Sequence, residues 1–164
     1  MTIQVRAATP ADAPELARVA AICFPLACPP AISAADIAAF VAANLSEERF
    51  TGYVDDAAHH VLVALDGDRI VGYAILVGHG GDPTELSKLY VLPDRHGGPV
   101  AAELMRQALD WATATGAKSV WLGVNRNNER AQRFYRKHGF EVTGTRSFQV
   151  GGSTESDFVM QRRL

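Results

Sequence analysis

The sequence has few cysteines, no long apolar run and no marked excess of either charge. Its 164 residues include 16 Lys and Arg against 18 Asp and Glu, which gives a formal net charge of −2. This balance argues against nucleic acid as the main partner. No apolar stretch approaches the roughly 20 residues of a membrane-spanning helix, and the opening MTIQVRAATP lacks the basic-then-apolar pattern of a secretory signal. We therefore expect a cytoplasmic protein without a membrane partner.

Metal-binding patterns are also missing. Cys23 and Cys28 are separated by four residues, a spacing that fits neither a CxxC redox pair nor a zinc cluster. Both are expected to be reduced, packed thiols. Four histidines show no metal-ligand spacing either, namely His59, His60, His79 and His138. No bound metal is expected.

The chain does contain an alternation of strand-like and helix-like segments. Its length and 48% hydrophobic composition suit a single domain, residues 1–164, with a sizeable core. Apolar periodicity and turn residues predict strands at about 3–6, 61–65, 69–78, 86–92, 119–124, 141–150 and 157–163. The same signals predict helices at about 9–24, 33–45, 46–53, 99–116 and 128–138. This order predicts a mixed α/β sheet protein.

Local signals support several of the helices. Thr9, Ser33 and Ser46 each precede a helical run and are followed by acidic residues, as N-cap residues commonly are. In the helix after residue 99, one apolar face is predicted from helical spacing, formed by Val100, Leu104, Ala108 and Trp111.

The stretch RHGGPVAAEL, residues 95–104, places two glycines and a proline directly before a helix. It is not a Walker loop, because no lysine follows the glycines, and it is not a GxGxxG dinucleotide fingerprint. The first N–H groups of a helix lack intrahelical partners, so this junction suits a phosphate or pyrophosphate. A structural loop-to-helix turn fits the residues equally well.

Two longer segments help to decide between an anion-binding loop and a structural turn at residues 95–104. LYVLPDRHGGPVAAELMRQALDWA, followed one strand later by WLGVNRNNERAQRFYRKHGFE, resembles the two signature segments of the GCN5-related N-acetyltransferase (GNAT) superfamily. The resemblance covers residues 89–141, and the element order agrees with it. It implies an α/β (α+β) fold with a central mixed, mostly antiparallel sheet of six to seven strands flanked by about four helices. It also implies an enzyme that uses acetyl-CoA as cosubstrate.

The resemblance assigns the opening stretch to the cofactor. In the family, a Gln/Arg-x-x-Gly-x-Gly/Ala loop binds the pyrophosphate of acetyl-CoA through backbone N–H groups. His96 stands where Gln or Arg is usual, and Pro99, which has no N–H, stands where the first motif glycine is usual. His96 is either a phosphate partner or a loop imidazole in water. The remaining expected cofactor residues of the loop are Gly97, Gly98, Val100, Ala101 and Ala102.

Other roles follow from the resemblance in the same way. A backbone N–H among Leu89, Tyr90 and Val91 is expected to stabilise the oxyanion, and this strand to pair with the pantetheine amides. Asn128 is expected to contact the cofactor. Tyr135 is expected to contact it too and to protonate the departing thiolate, whereas its alternative is a helix aromatic packed beside another ring.

The resemblance also implies a general base at Glu85, just before the cofactor strand, because related enzymes often place there a glutamate that acts directly or through water. The alternative for Glu85 is an exposed carboxylate at the start of a strand. Asp55, Asp56 and Asp82 could add negative charge near the acceptor, although solvated loop or helix-end positions describe them as well.

The acceptor is indicated by the more variable regions. NLSEERFTGYVDD, ELSKLYVLP and the tail FQVGGSTESDFVMQRRL resemble the bacterial spermidine/spermine acetyltransferase branch. This resemblance implies direct acetyl transfer to a primary amine of a small, polyamine-like molecule in a ternary complex. The alternatives are a protein N-terminal acetyltransferase and a non-catalytic acyl-CoA-binding regulatory module, and a homodimer is left open.

Overall fold

A computed structural model describes residues 2–78 and 83–164. Its seven strands form one sheet in the order β1-β2-β3-β4-β5-β7-β6. The strands are β1 (Ile3–Ala7), β2 (His59–Asp66), β3 (Arg69–Val77), β4 (Thr84–Val91), β5 (Ser119–Asn125), β6 (Glu141–Val150) and β7 (Ser153–Arg163). The α-helices are α1 (Ala13–Ala27), α2 (Ala34–Asn44), α3 (Glu47–Asp55), α4 (Val100–Ala114) and α5 (Glu129–Lys137). The mixed α/β prediction is confirmed, with five α-helices in the described ranges where about four were expected.

The predicted helix starts are confirmed for α2 and α3. The Ser33 hydroxyl accepts a hydrogen bond from the N–H of Asp36 at 3.1 Å, and Ser46 accepts one from the N–H of Arg49 at 3.2 Å. Each bond satisfies a donor that the first helical turn leaves free.

Helix α1 differs from its prediction at both ends. Residues Pro10–Asp12 form a short 3₁₀ turn, so that the α-helix itself begins at Ala13. At the other end, α1 runs through Pro25 to Ala27, three residues beyond its predicted end at about Phe24. Pro25 lies in the last turn, where its missing N–H removes the backbone hydrogen bond to the carbonyl of Ala21, and the helix ends two residues later.

Strands β4 and β5 diverge. They are parallel, but they pair only at Thr84 with Val120 and Glu85 with Trp121. The remainder of β4, from Leu86 on, has β3 on one edge and, among residues 2–78 and 83–164, no ladder partner on the other. Next to this point β4 contains a bulge, because Ile75 pairs with Lys88 while Leu76 pairs with Leu86, which leaves Ser87 without a partner. The sheet is therefore split at its centre.

The final hairpin closes the sheet on the β5 side. Strand β7 pairs with β5 on one edge and with β6 on the other, both antiparallel. β7 begins at Ser153, so the predicted start at Asp157 is wrong by four residues. Ladder pairing with β6 holds the polar segment STES in an extended conformation, which its composition alone did not indicate.

The core lies between the sheet and its helices. The predicted apolar face of α4 is confirmed at Val100, Leu104 and Ala108, which are all buried. Trp111 is only half-buried and stacks on His60, with ring centroids 4.6 Å apart. This packing holds α4 against strands β2, β3 and β4.

Candidate active site

The split between β4 and β5 opens into a cavity of about 400 Å³. Parts of β4, the loop before α4, the end of β5, α5, the end of α1 and the β6–β7 hairpin all line it. The lining residues used below are Cys23, Phe24, Leu26, Cys28, Ile32, Lys88, Leu89, Tyr90, Val91, Arg95, His96, Gly97, Gly98, Ala101, Gly123, Asn125, Asn128, Arg130, Tyr135, Arg146, Phe148, Val150, Glu155 and Asp157. The cavity thus collects most of the predicted site residues in one place.

The glycine loop forms one end of the cavity. Gly97 has φ of +81°, a conformation that L side chains rarely adopt. Pro99 is the N-cap of α4 and not its first helical residue as predicted, and its carbonyl accepts the hydrogen bond from Glu103 N at 3.0 Å. Of the predicted loop residues, Val100 and Ala102 do not line the cavity. The N–H groups of the first turn of α4 nevertheless have no intrahelical partner.

His96 bridges the loop to its surroundings. Its Nε2 lies 2.9 Å from the carbonyl oxygen of Val91, and its Nδ1 is hydrogen-bonded by the guanidinium of Arg130. A carbonyl oxygen can only accept a hydrogen bond and a guanidinium can only donate one, so in this arrangement Nε2 is the donor to Val91 and Nδ1 is the acceptor from Arg130. His96 is therefore a structural link between β4 and α5 in this arrangement. Arg130, which the sequence did not single out, is a cation that lines the cavity beside His96.

The open edge of β4 offers backbone donors. The N–H of Leu92 bonds to Val71 in β3, whereas the carbonyl of Val91 faces His96 on the other side. Because backbone groups alternate along a strand, the N–H groups of Leu89 and Val91 point to the open edge and that of Tyr90 points to β3. Of the three predicted strand residues, Leu89 and Val91 are thus the ones whose N–H groups face the cavity.

Helix α5 supplies two predicted residues. Asn128 is the N-cap, since its Oδ1 accepts from the N–H of Ala131 at 3.2 Å. Tyr135 packs beside Phe134 and Phe140, with ring centroids 5.6 Å and 5.9 Å away, and it also lines the cavity. The surrounding protein desolvates the phenol and raises the pKa of Tyr135 to about 12. The two alternatives for Tyr135 are therefore compatible with each other.

Glu85 occupies a different position from the predicted one. It lies within β4, not before it, and it pairs with Trp121 where the two strands still touch. Glu85 is not among the residues that line the cavity. Its Oε2 lies 3.9 Å from Nη1 of Arg146.

Two other carboxylates line the cavity instead. Asp157 and Glu155 project from the same face of β7, two residues apart. Asp157 is buried, and Arg146 Nε donates to its Oδ2 at 3.3 Å. Burial raises the pKa of Asp157, although the charge and hydrogen bond of Arg146 oppose this. In the sequence, Asp157 is an acidic residue at the start of the predicted strand 157–163. The alternation of inward and outward side chains along that strand could have identified it as a site candidate.

The other predicted acidic and histidine residues lie elsewhere. Asp55 and Asp56 do not line the cavity, and Asp56 accepts from the N–H of Ala58 at 2.8 Å. Asp82 and His79 lie outside the described residues. Among the residues that are described, no cluster of three or more His, Cys, Asp or Glu side chains could hold a metal ion.

An apolar wall faces the carboxylates. It consists of side chains from the end of α1, the segment after it and β6, namely Phe24, Leu26, Ile32, Phe148 and Val150. Phe24 and Phe148 both contact Phe40, with ring centroids 4.5 Å and 5.5 Å away. Cys23 and Cys28 are free thiols as predicted, and burial raises the pKa of each to about 11. In the part of the chain that the structure describes, no helix is long and apolar enough to cross a membrane.

Comparison with known proteins agrees with this geometry. The model of the Acetyltransferase (GNAT) family matches residues 28–140. A protein of Mycobacterium tuberculosis named as an uncharacterized N-acetyltransferase is 54% identical over 153 residues, which are 93% of this chain and 98% of the relative. Peptidyl-lysine N-acetyltransferase YjaB of Salmonella typhimurium is 33% identical over 98 residues, 60% of each chain.

A solved structure supports the fold. The crystal structure of PaiA N-acetyltransferase from Thermoplasma acidophilum in complex with coenzyme A matches with a TM-score of 0.86 over 100% of both chains, at 21% identity. At this identity the match shows the fold alone. Together with the family match, it confirms the predicted GNAT fold. The family match and the mycobacterial relative indicate an acetyltransferase and not the alternative of a non-catalytic acyl-CoA-binding module. The chain therefore belongs to the Acetyltransferase (GNAT) family and is an N-acetyltransferase that uses acetyl-CoA.

Proposed function

We propose that the protein transfers the acetyl group of acetyl-CoA directly to the primary amine of a small molecule, with a polyamine-like acceptor favoured. One observation carries the proposal. A single cavity between β4 and β5 is lined both by the glycine loop before α4 and by two carboxylates, Glu155 and Asp157. Such a cavity suits an anionic cosubstrate and a cationic acceptor that meet within it.

The loop end suits the cofactor. Gly97, Gly98 and Ala101 line the cavity beside the N-terminus of α4, whose free N–H groups favour a pyrophosphate. Val100 and Ala102 contribute through their backbone N–H groups in the same turn, and Asn128 lies beside them at the start of α5. His96 supports this end by fixing the loop to Val91 and to Arg130.

The centre of the cavity suits the acetyl group. The open edge of β4 takes the pantetheine amides, as a strand edge takes an extended chain. The N–H of Leu89 or Val91 stabilises the negative charge that develops on the thioester oxygen. Tyr135 donates its proton to the sulfur as the C–S bond breaks. Its raised pKa keeps the phenol protonated for this step.

The acceptor amine needs a carboxylate as general base. Glu85, the predicted one, lies 3.9 Å from Arg146 and outside the cavity lining, so it would act through a water molecule. Asp157 lines the cavity itself. The apolar wall, with Phe24 and Phe148, suits the methylene chain between the amino groups of a polyamine.

A second acceptor class is a protein amine. The name of the Salmonella relative, peptidyl-lysine N-acetyltransferase, favours a lysine side chain over a small molecule. The predicted protein N-terminal acetyltransferase belongs to the same class. A lysine side chain would present its amine on a long apolar stem, and a protein N-terminus would present its amine at the chain end.

A thiol-release assay tests the proposal. The protein is mixed with acetyl-CoA and a panel of spermidine, spermine, simple monoamines, amino acids, lysine peptides and alanyl peptides. We expect polyamines to give the largest increase in kcat/KM for thiol release. A response to peptides alone would replace the first proposal by the second, and no response to any amine would contradict both.

A further inference from the structure

We propose that Asp157 binds the acceptor nitrogen and takes its proton, and that Arg146 is the positioning residue that holds Asp157 in place. This inference rests on the proposed function and selects one carboxylate of the cavity as the catalytic one.

The first step is where Asp157 lies. In the sheet register it stands opposite Asn125 of β5 and Arg146 of β6. Directly opposed residues of antiparallel strands project from the same face, so all three side chains meet on one side of the sheet. All three also line the cavity. Asp157 is therefore at the wall that the acceptor must reach.

The second step is the pairing of its carboxylate. The side chain of Asp157 is only 6% exposed, and a buried charge needs a partner. Oδ2 receives a hydrogen bond from Arg146 Nε, while Oδ1 receives no side-chain hydrogen bond from any described residue. One oxygen is thus held and the other is free to accept from an amine.

The third step is the unusual reach of Arg146. Its side chain starts on β6, crosses β7 and lies over Gly123 of β5, where any Cβ would collide with the guanidinium. The guanidinium continues between the rings of Trp121 and Phe148, 5.5 Å and 5.6 Å from their centroids. Its far end lies 3.9 Å from Glu85 on β4. Arg146 therefore spans the split sheet and is fixed along its whole length.

The charges around Asp157 come from three strands. Arg146 of β6 and Lys88 of β4 favour the ionised carboxylate, whereas Glu155 of β7 opposes it, and the phenol of Tyr90 also faces it. Burial outweighs the cations, so that the pKa of Asp157 lies above its usual value. A carboxylate with a raised pKa is a stronger base toward an amine.

The other two carboxylates are less suitable. Glu85 is outside the cavity lining and bound on the far side of Arg146. Glu155 is half-buried and accepts from Asn125 Nδ2 and from Ser153 Oγ, each at 3.4 Å. Glu155 attracts the cationic acceptor without facing its reacting nitrogen.

The chemical step balances with these residues. The acceptor ammonium first gives one proton to Asp157, which later releases it to solvent. The neutral amine attacks the thioester carbon, an N–C bond forms, and the C–S bond breaks as the sulfur takes a proton from Tyr135. Solvent carries the second proton of the nitrogen back to Tyr135, so that the products are the amide, the free thiol and one proton.

The test compares Asp157→Asn with Glu85→Gln and with a control, Glu141→Gln. Glu141 is an exposed residue of β6 that does not line the cavity. Thiol release is measured against pH with the best acceptor, and CoA binding and Tm report on the fold. We expect Asp157→Asn to lower kcat by about 100-fold at pH 7 with CoA affinity retained. The loss should shrink as pH rises, because the free amine then forms without a base. Glu85→Gln should lose less than about tenfold, and Glu141→Gln should match wild type.

Three outcomes would overturn the inference. If wild type is active and Asp157→Asn keeps its rate and pH profile, Asp157 is not the base, while the proposed function stands. If Glu85→Gln alone shows the pH-dependent loss, Glu85 is the base. If wild type releases no thiol with any amine, the proposed function fails and the inference fails with it.

Discussion

Nε2 of His96 lies 2.9 Å from the carbonyl oxygen of Val91, and Arg130 donates to the other ring nitrogen. One imidazole thereby joins the end of β4, the glycine loop and the start of α5. These are three of the elements that surround the cofactor end of the cavity. The position of the loop thus depends on a side chain that was expected either to meet phosphate or to lie in water.

The first prediction tests this bridge. His96→Ala removes two hydrogen bonds, and a typical net bond contributes about 0.5–1.5 kcal/mol. We expect the Kd for CoA to rise by roughly 3- to 10-fold in titration calorimetry, while the Kd for pantetheine stays the same. His96→Gln is the matched control, because a carboxamide can donate to Val91 and accept from Arg130. Equal CoA affinity in all three proteins would show that the bridge does not organise the loop.

The second prediction concerns Pro99, the N-cap of α4. Pro99→Gly supplies an N–H that a charged phosphate can accept from, a bond of about 1.5–3 kcal/mol at best. Ordering the loop reduces the gain, so we expect up to roughly tenfold tighter CoA binding. Glycine also increases the freedom of the unfolded chain, which lowers the free energy of unfolding by about 0.4–1 kcal/mol and slightly lowers the apo Tm.

Pantetheine, which lacks the pyrophosphate, is the control for Pro99→Gly. It should bind wild type and variant alike. Weaker CoA binding, or an equal gain for pantetheine, would mean that residue 99 does not face the pyrophosphate.

The third prediction follows from the pair Arg146 and Asp157. Arg146 lowers the pKa of Asp157 against the effect of burial, so removing the cation raises that pKa further. The acidic limb of the kcat/KM profile should move to higher pH in Arg146→Gln, because the carboxylate then holds its proton longer. Arg146→Lys should shift it less, since lysine keeps the charge but not the fork of donors. If the acidic limb of the kcat/KM profile stays at the same pH in Arg146→Gln, Arg146 does not influence the general base.

The fourth prediction excludes a covalent route through the cavity thiols. Burial raises the pKa of Cys28 to about 11, so only about one thiol in ten thousand is ionised at pH 7. Cys28→Ala should keep kcat within about twofold, and initial rates with both substrates varied should give intersecting lines. Parallel lines, or a protein acetylated at Cys28, would contradict direct transfer.

Local signals in the sequence predicted much of the fold. The caps at Ser33 and Ser46 involve residues three apart, and the face of α4 depends on spacing within one helix. The loop and Tyr135 could be assigned from the resemblance. The meeting of Asp157, Arg146 and Gly123 could not, because it depends on β7 entering the sheet between β5 and β6. Glu85 was predicted by its position before a strand, but the strand begins at Thr84, two residues before its predicted start, so that Glu85 lies within it.

The central claim is that this cavity transfers an acetyl group with Tyr135 as the acid, and Tyr135→Phe tests it most directly. Tyr53→Phe is the matched control, because that phenol bonds to the carbonyl of Asn44 at 2.7 Å and does not line the cavity. The measurement is kcat for amine-dependent thiol release, with CoA affinity measured in parallel. We predict that Tyr135→Phe lowers kcat by roughly 100-fold or more with CoA affinity nearly unchanged, while Tyr53→Phe keeps its rate. Equal kcat in wild type and Tyr135→Phe would contradict the account.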